Sequence, residues 1–390
     1  MSKHDLRQPS VLVVGAGAIG VALAAELVSR GHLVTVVDAA ECGTGTTAAT
    51  YGWVNANSKR PASYAGLNRM GLRAHERWST QHGRPWFHQI GNLQIVHDIG
   101  RMAELEQEAI EHRATGYPVQ LLTSAEATAL EPGIDGTGVV GGALFSAEGW
   151  ADSALMCSVL MDHALAGGAR YLPYHRVIEL DAGGAVVRGP GSTTTRISAD
   201  ITVLAAGNGT RQLVNGLGLE FPVLPTALDA QPDGSGNDEH PTVGMTCTTG
   251  PVEGLPRHMI QTDGVSFRPS PNGGVTITDH PTASRWDGDD RWTAPEDLLS
   301  RATRLCPALG ATDIALVNVG HRVLPNDGLT IADWLDQERR IYTIATHSGI
   351  TLAPHLAETV ATELGTGERD PSLADFGLDR FGNLPAAPAR

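Results

Sequence analysis

The segment Val11-Leu12-Val13-Val14-Gly15-Ala16-Gly17-Ala18-Ile19-Gly20 constrains the fold of this chain more than any other stretch of its 390 residues. Four apolar residues read as a buried strand, and Val21-Ala22-Leu23-Ala24-Ala25-Glu26-Leu27 reads as the helix that leaves the turn. The first glycine permits a tight turn, the second lets a pyrophosphate approach the backbone, and the third lets the helix pack closely on its strand. A helix start of this kind presents free N–H groups and a partial positive charge to an anion. The next strand, Leu33-Val34-Thr35-Val36-Val37-Asp38, ends in a carboxylate 18 residues after Gly20, suited to the hydroxyls of an adenosine ribose. The unit predicts a dinucleotide site built from Gly15, Ala16, Gly17, Ala18, Ile19, Gly20, Asp38 and Ala39.

At this length one hydrophobic core seldom suffices. Leu67, Met70, Ala74 and Trp78 recur at helical spacing within Pro61 to His82. Short strands within Trp86 to His97, a helix over Met102 to Ala114 and a strand over Val119 to Leu122 follow. A helix runs from Asp152, its expected N-cap, to Leu165, and Val177-Ile178-Glu179-Leu180 opens a strand pair that turns at Gly183-Gly184. Ile201 to Gly207 reads as a buried parallel strand ending at a ligand. Pro222 to Val317 is Pro/Gly-rich and strand-forming, with one helix near Pro295 to Cys306; then come a strand at Ile341 to Ala345 and a helix at Gly349 to Leu364. This order predicts an α/β fold. A discontinuous Rossmann-type nucleotide domain (1–85, 146–221 and 318–390) would carry a strand-rich substrate-binding domain (86–145 and 222–317). Both chain ends, the second from Asn383, are expected to fray.

The balance of 28 basic against 43 acidic residues, a net charge of −15, disfavours nucleic acid and anionic membrane surfaces and favours a small-molecule partner. No run approaches the ~18 to 20 apolar residues of a membrane helix. Cys42, Cys157, Cys247 and Cys306 are widely spaced and the 15 histidines show no ligand pattern, so a reduced, cytoplasmic protein without a metal site is expected. The only lysines are Lys3 and Lys59. A step that needs an amine therefore has Lys59 as its one serious candidate.

Four further segments carry chemistry. Gly45-Thr46-Thr47-Ala48-Ala49-Thr50-Tyr51-Gly52-Trp53 is a small-hydroxyl run closed by glycine, and Leu204-Ala205-Ala206-Gly207 ends a strand. His321-Arg322-Val323-Leu324-Pro325-Asn326-Asp327-Gly328-Leu329-Thr330-Ile331 precedes Thr346-His347-Ser348-Gly349-Ile350-Thr351-Leu352-Ala353-Pro354, which leads into a helix. In these segments the chain resembles the D-amino acid oxidase and sarcosine/glycine oxidase superfamily of FAD-dependent amine oxidoreductases, over nearly its whole length. The resemblance implies a glutathione-reductase-like FAD domain. Thr46, Thr47, Thr50, Gly52 and Trp53 would meet the pyrophosphate and flavin edge, Val177 the adenine, and Ala206 and Gly207 the cofactor at a strand end. Ser348, Gly349, Ile350 and Thr351 would meet the flavin's pyrimidine end, where a helix N-terminus favours the reduced state. Arg322, in the family's G-x-R-P segment beside the flavin, would hold a substrate carboxylate in its bidentate fork. His258 is the acid/base candidate, weighed against a histidine with ordinary hydrogen-bond partners.

The chain also departs from that family. Some sarcosine-oxidase-like enzymes place a lysine over the flavin to promote reaction with oxygen, and the comparable strand here, His258 to Gln261 and Phe267 to Pro269, has none; Lys59 is the substitute. Val323 stands where proline is usual, and Pro225-Thr226-Ala227-Leu228-Asp229 replaces a proline, x, arginine, glycine, glutamine run, so an altered pocket is expected. Covalent flavin attachment has no matching cysteine, and FAD is expected to be non-covalent. The expected activity is oxidation of the C–N bond of an amine or amino acid by hydride transfer to flavin N5, followed by imine hydrolysis. Oxygen or another carrier takes the electrons, and self-association of the chain is left open. The alternatives are a flavin monooxygenase or halogenase, and an FAD-binding subunit of a larger complex without turnover of its own.

Overall fold

In the computed structural model, which describes residues 8–83, 85–226, 241–279 and 293–387, the strand Ser10–Val14 lies inside a six-stranded sheet. The spatial order is Ile331–Trp334, Ile341–Ala345, Ile201–Leu204, Ser10–Val14, Leu33–Val37, Arg170–Leu172. All neighbours pair parallel except the edge strand Ile331–Trp334. Both faces are covered, which is why these strands read as unbroken apolar runs. The helices Ala18–Ser29, Ser153–Ala166 and Gly349–Thr366 share one core with Val11, Val13 and Val203, and Leu12, Val14 and Leu204 join the core on the other face.

The glycine turn works through close approach. A Cβ on Gly20 would lie 1.8 Å from the carbonyl oxygen of Gly15, and Gly15 itself has φ +109° with the Ala205 carbonyl 2.3 Å from where its Cβ would stand. No other residue type lets the helix start and the end of Ile201–Leu204 meet at this spacing.

A second, eight-stranded sheet runs Ile314–His321, Val243–Thr249, Val275–Thr278, Ser266–Pro269, Met259–Gln261, Asn92–Val96, Gly141–Phe145, Gln120–Thr123. Strand alternation divides it chemically. Phe267, Val275 and Ile277 point to a core closed by Leu298 and Ala302 of the helix Thr293–Leu305. Ser266, Arg268, Thr276 and Thr278 point to the other face, toward the six-stranded sheet. The short strands Trp53–Val54, Gly149–Ala151 and Phe87–His88 form a three-stranded sheet of their own.

The expected α/β class and the main helices and strands are present, and Asp152 caps its helix by accepting from the Leu155 N–H at 2.9 Å. Several details differ. The boundary expected at 318 falls inside the strand Ile314–His321, whose residues from Val243↔His321 to Thr249↔Ile314 pair with one partner. The C-terminal segment is tied down rather than frayed: Leu219 bridges Ala386, and the Glu220 N–H donates to the Pro385 carbonyl. The helix Ser124–Leu130 is absent from the sequence reading because seven residues carry too little periodicity. Its capping box, Thr123 with Glu126, was the available signal. Ala227, Leu228 and Asp229 lie outside the described residues.

Gly20→Ala should destabilise the protein by about 3 kcal/mol or more, because backbone must move to admit the methyl. Gly66→Ala, in the helix Ala62–Gln81 with nothing near its Cβ, should be neutral or stabilise by up to about 1 kcal/mol. Thermal melts of the two variants check this, and equal midpoints would refute the close-packing account.

Candidate functional site

Between the carboxyl ends of the six-stranded sheet and the polar face of the eight-stranded one lies a cavity of about 2200 Å³. That far exceeds the ~300 to 1,000 Å³ of a pocket for one small ligand, so the space suits a large elongated group and a substrate together.

One end is the glycine turn. Gly15, Gly17, Ala18 and Ile19 line it, while Ala16 and Gly20 are buried behind it and serve the packing. The N-cap Gly17 offers no side-chain acceptor to the helix Ala18–Ser29, so N–H groups of its first turn are left for an anion. The Ala18 N–H does meet Thr47 Oγ1 at 3.1 Å, which ties the 45–50 loop to the turn. Asp38 and Ala39 line the wall beside it. Asp38 Oδ2 accepts from the Ala16 N–H at 2.6 Å and Oδ1 from the Ala40 N–H at 2.8 Å, so this carboxylate also shapes the loop that presents it. Val177 lines the same region.

Toward the middle, Thr46, Thr50, Gly52 and Trp53 line one wall and Ala206 and Gly207 another. Thr46 Oγ1 donates to the His321 carbonyl at 2.7 Å, and Thr50 Oγ1 accepts from the Gly52 N–H at 3.1 Å.

The far end is the start of the helix Gly349–Thr366, also without a side-chain cap, where Ser348, Gly349, Ile350 and Thr351 line the cavity. The segment is held from outside. Ser348 Oγ hydrogen-bonds Tyr64 Oη at 2.8 Å, and Thr351 Oγ1 donates to the Trp53 carbonyl at 3.1 Å. Burial pulls the His75 pKa down to about 4, so the neutral ring donates from Nε2 to the Ile350 carbonyl and accepts from Trp86 Nε1 at Nδ1.

The three polar candidates separate. Lys59 is half-buried in the cavity wall with Nζ 5.9 Å from the centre of the Tyr64 ring; burial lowers its pKa and the charge of Glu148 opposes this. Arg322 also lines the cavity. Its Nη1 donates to the Pro241 carbonyl at 3.1 Å and to that of Val243, and its Nη2 and Nε edge lies along Gly244, where a Cβ would stand 3.1 Å from Nη2. Burial lowers the Arg322 pKa. His258 belongs elsewhere. Its Nδ1 meets Glu131 Oε1 at 2.6 Å and its N–H donates to the same oxygen, at the start of the strand Met259–Gln261 and outside the cavity lining. The Glu131 contact, 127 residues away in sequence, is what separates it from the acid/base assignment.

Glu148 was missed. It is fully buried and accepts from Trp53 Nε1 at 3.0 Å, the Asn57 N–H at 2.9 Å and Tyr117 Oη at 2.6 Å. Tyr117 Oη in turn accepts from the Ala56 N–H. One carboxyl thus fixes the 53–57 segment that lines the cavity and leads to Lys59. Burial pushes its pKa up to about 7 against the pull of these donors. The available signal was a lone carboxylate between the aromatic residues Phe145 and Trp150.

Two uncapped helix starts face one cavity, one at a glycine turn and one at its far end, and this donor set fits a dinucleotide whose phosphates lie at the first and whose electron-accepting ring lies toward the second. No group of His, Cys, Asp and Glu suited to a metal ion occurs among the described residues, and no helix there is long and apolar enough to cross a membrane.

Comparison with known proteins agrees. The family model described as FAD dependent oxidoreductase matches residues 10–363. Glycine oxidase of Geobacillus kaustophilus is 25% identical over 388 residues, 95% of this chain and 96% of that one. An opine oxidase subunit of Agrobacterium tumefaciens is 25% identical over 389 residues with the same coverage. Among solved structures, that of Geobacillus kaustophilus glycine oxidase has a TM-score of 0.82 at 22% identity, covering 96% of this chain and 99% of that chain. That of L-proline dehydrogenase from P. horikoshii has 0.78 at 20%, covering 94% and 96%. These structural likenesses establish the fold.

Glu148 makes the stability of the protein depend on pH. Its folded pKa lies above the unfolded value, so the folded state holds the proton more tightly; the contribution is complete below about pH 4.5 and is lost as pH rises through about 7. Melting midpoints followed from about pH 4.5 to 8 should therefore fall more steeply for the wild type than for Glu148→Gln. Parallel profiles would sink this assignment.

Proposed function

The chain belongs to the FAD-dependent oxidoreductase family, and from that premise we propose that it oxidises the C–N bond of an amino acid or amine, with FAD held non-covalently along the cavity. The observation that carries this reading is the single cavity that joins the uncapped glycine turn, the uncapped Ser348–Thr351 helix start and the Arg322 guanidinium. FAD, when bound, supplies acceptance of two electrons from the substrate at N5 of its ring.

The residues of the chain supply position and electrostatics. Arg322, braced by two backbone carbonyls through Nη1, lines the cavity with its guanidinium against Gly244, where the missing side chain leaves room for a substrate carboxylate. Gln261, Ser266 and Thr278 make the opposite wall polar, which suits an amino group and the water that hydrolyses the imine to a carbonyl product and ammonia or amine. The Gly349–Thr366 helix start places partial positive charge where the ring gains negative charge. Lys59 is the amine at that end of the cavity, next to Tyr64, which bonds Ser348. Relatives named for amino acid substrates, glycine oxidase and D-amino acid dehydrogenase among them, support the substrate class. The likeness to a protein named as one subunit of an opine oxidase supports a second reading, in which the chain turns over only within a larger complex. Anaerobic mixing of the isolated chain with amino acids and amines separates the two: bleaching of the flavin absorbance band supports the first, and no bleaching with any of them refutes it.

Three outcomes are expected. Heat or acid denaturation should release intact FAD, and flavin that stays with the precipitated protein would refute non-covalent binding. Arg322→Met should lower kcat/KM for an amino acid at least ~10-fold, the loss of a charge-assisted hydrogen bond, and leave FAD content and activity on the corresponding decarboxylated amine nearly unchanged. Equal damage to both substrates would remove the carboxylate assignment. If oxygen accepts the electrons with help from Lys59, Lys59→Met should slow reoxidation in stopped flow far more than reduction by substrate; an unchanged reoxidation rate would exclude that role.

A further inference from the structure

Arg268, on the strand Ser266–Pro269, is 7% exposed, and its guanidinium forms no salt bridge among the described residues. Burying such a charge without a counter-ion costs several kcal/mol unless other groups replace its water. Here Nε donates to the Tyr51 carbonyl at 2.6 Å and Nη1 to the Pro269 carbonyl at 2.8 Å. Two aromatic rings add to this, Trp150 at 4.2 Å from the guanidinium carbon and Tyr51 at 5.4 Å. His88, stacked on Trp150 at 4.1 Å, brings no second charge, since burial and Arg268 hold its pKa down while Asp152 opposes them. Burial lowers the Arg268 pKa to about 10 against the charge of Asp152, which lines the same small pocket, so Arg268 remains charged at neutral pH.

Its position gives this charge a use. Nη2 stands 3.7 Å from where a Cβ of Gly52 would be, and Tyr51 and Gly52 line the large cavity while Arg268 lies behind them. Gly52 has φ +75°, and a Cβ there would lie 2.6 Å from the Ala151 carbonyl, so the Gly52 backbone packs against Ala151 and Arg268 with no side chain of its own between. A neutral donor would hold the Tyr51 carbonyl as well as Arg268 does. What only a cation adds is a fixed positive potential across the Tyr51–Gly52 wall, in surroundings with little water to screen it.

We propose that Arg268 is a positioning residue that also acts electrostatically: it clamps the Tyr51–Gly52 wall and stabilises negative charge on the flavin bound against it. This rests on the FAD reading above. The test uses sulfite, which adds reversibly through its sulfur lone pair to N5 of oxidised flavin, needs no other reactant, and leaves the added negative charge on the ring. Holoprotein, Arg268→Lys and Arg268→Gln are titrated with sulfite and followed by flavin absorbance, with FAD content measured in each. The charge-retaining Arg268→Lys should bind sulfite within about fivefold of the wild type, and Arg268→Gln at least ~10-fold more weakly, with a lower flavin midpoint potential, while keeping FAD. A clamp alone would change FAD content without weakening sulfite. Equal sulfite affinity in wild type and Arg268→Gln overturns the electrostatic role, as does a loss beyond about fivefold in Arg268→Lys, which decides alone if Arg268→Gln does not hold FAD. Wild-type protein that binds no FAD defeats the cofactor reading instead, and is recognised before any sulfite is added.

Discussion

Everything in the cavity depends on the contact between the Gly15 carbonyl and Gly20, where 1.8 Å is all the room a side chain would have. Because that space is empty, the helix Ala18–Ser29 starts directly beneath the end of its strand, and the Ala205–Ala206 backbone crosses just behind Gly15. The parallel strands Ser10–Val14, Leu33–Val37 and Ile201–Leu204 consequently end together, and their carboxyl ends define one side of a ligand crevice. The Gly15 N–H donates to the Val37 carbonyl at 2.8 Å and the Ala205 N–H to the Val14 carbonyl at 2.8 Å, so the turn is stitched to both neighbours. A ligand that replaces water at the uncapped helix start meets donors already fixed in place, with no ordering cost left for it to meet.

The electrostatics of the site follow one rule. The two helix starts contribute partial positive charge without any side chain, and the full cations near them, Lys59, Arg268 and Arg322, are drawn out of water. Burial lowers each of their pKa values, which is the thermodynamic sign that each would gain from a nearby anion. The cavity lining also carries Asp38, Glu179, Asp181 and Asp279, so these cations act locally and not as a general excess of positive charge.

What could be read from the sequence was what local chemistry decides. The strand, turn and helix at 11–29, the Asp152 cap and the entry to the helix Gly349–Thr366 all rest on residues within a few positions of each other, and all are present. Glu148, Arg268 and the true partner of His258 were not legible, because their roles are set by contacts 91, 217 and 127 residues away. Nothing in the neighbourhood of His258 announces Glu131, and its place beside the comparable strand made it look like a site residue. Arg268 was read only as a position where a lysine is missing. The strand alternation that turns it toward Tyr51, with Phe267 turned to the core, becomes visible only once Ser266↔Thr278 and Arg268↔Thr276 are in register.

The segment from Thr46 to Lys59 ties the two large sheets and the C-terminal helix to one wall of the cavity. It begins and ends against different neighbours: Thr46 on the His321 carbonyl of the eight-stranded sheet, Tyr51 on Arg268 of the same sheet, Trp53 on Thr351 of the C-terminal helix, and Asn57 on Glu148. Four distant elements thus hold one loop whose own sequence, rich in Thr, Ala and Gly, makes few internal bonds. Such a loop keeps its shape only while all four stay in place, so packing changes in the eight-stranded sheet reach the 46–59 wall of the cavity through Thr46 and Tyr51 directly. Arg322 follows His321, so the residue proposed to hold the substrate and the carbonyl that accepts from Thr46 are neighbours along the backbone. Binding at either is therefore expected to be felt at the other through a rigid, local connection rather than a long path.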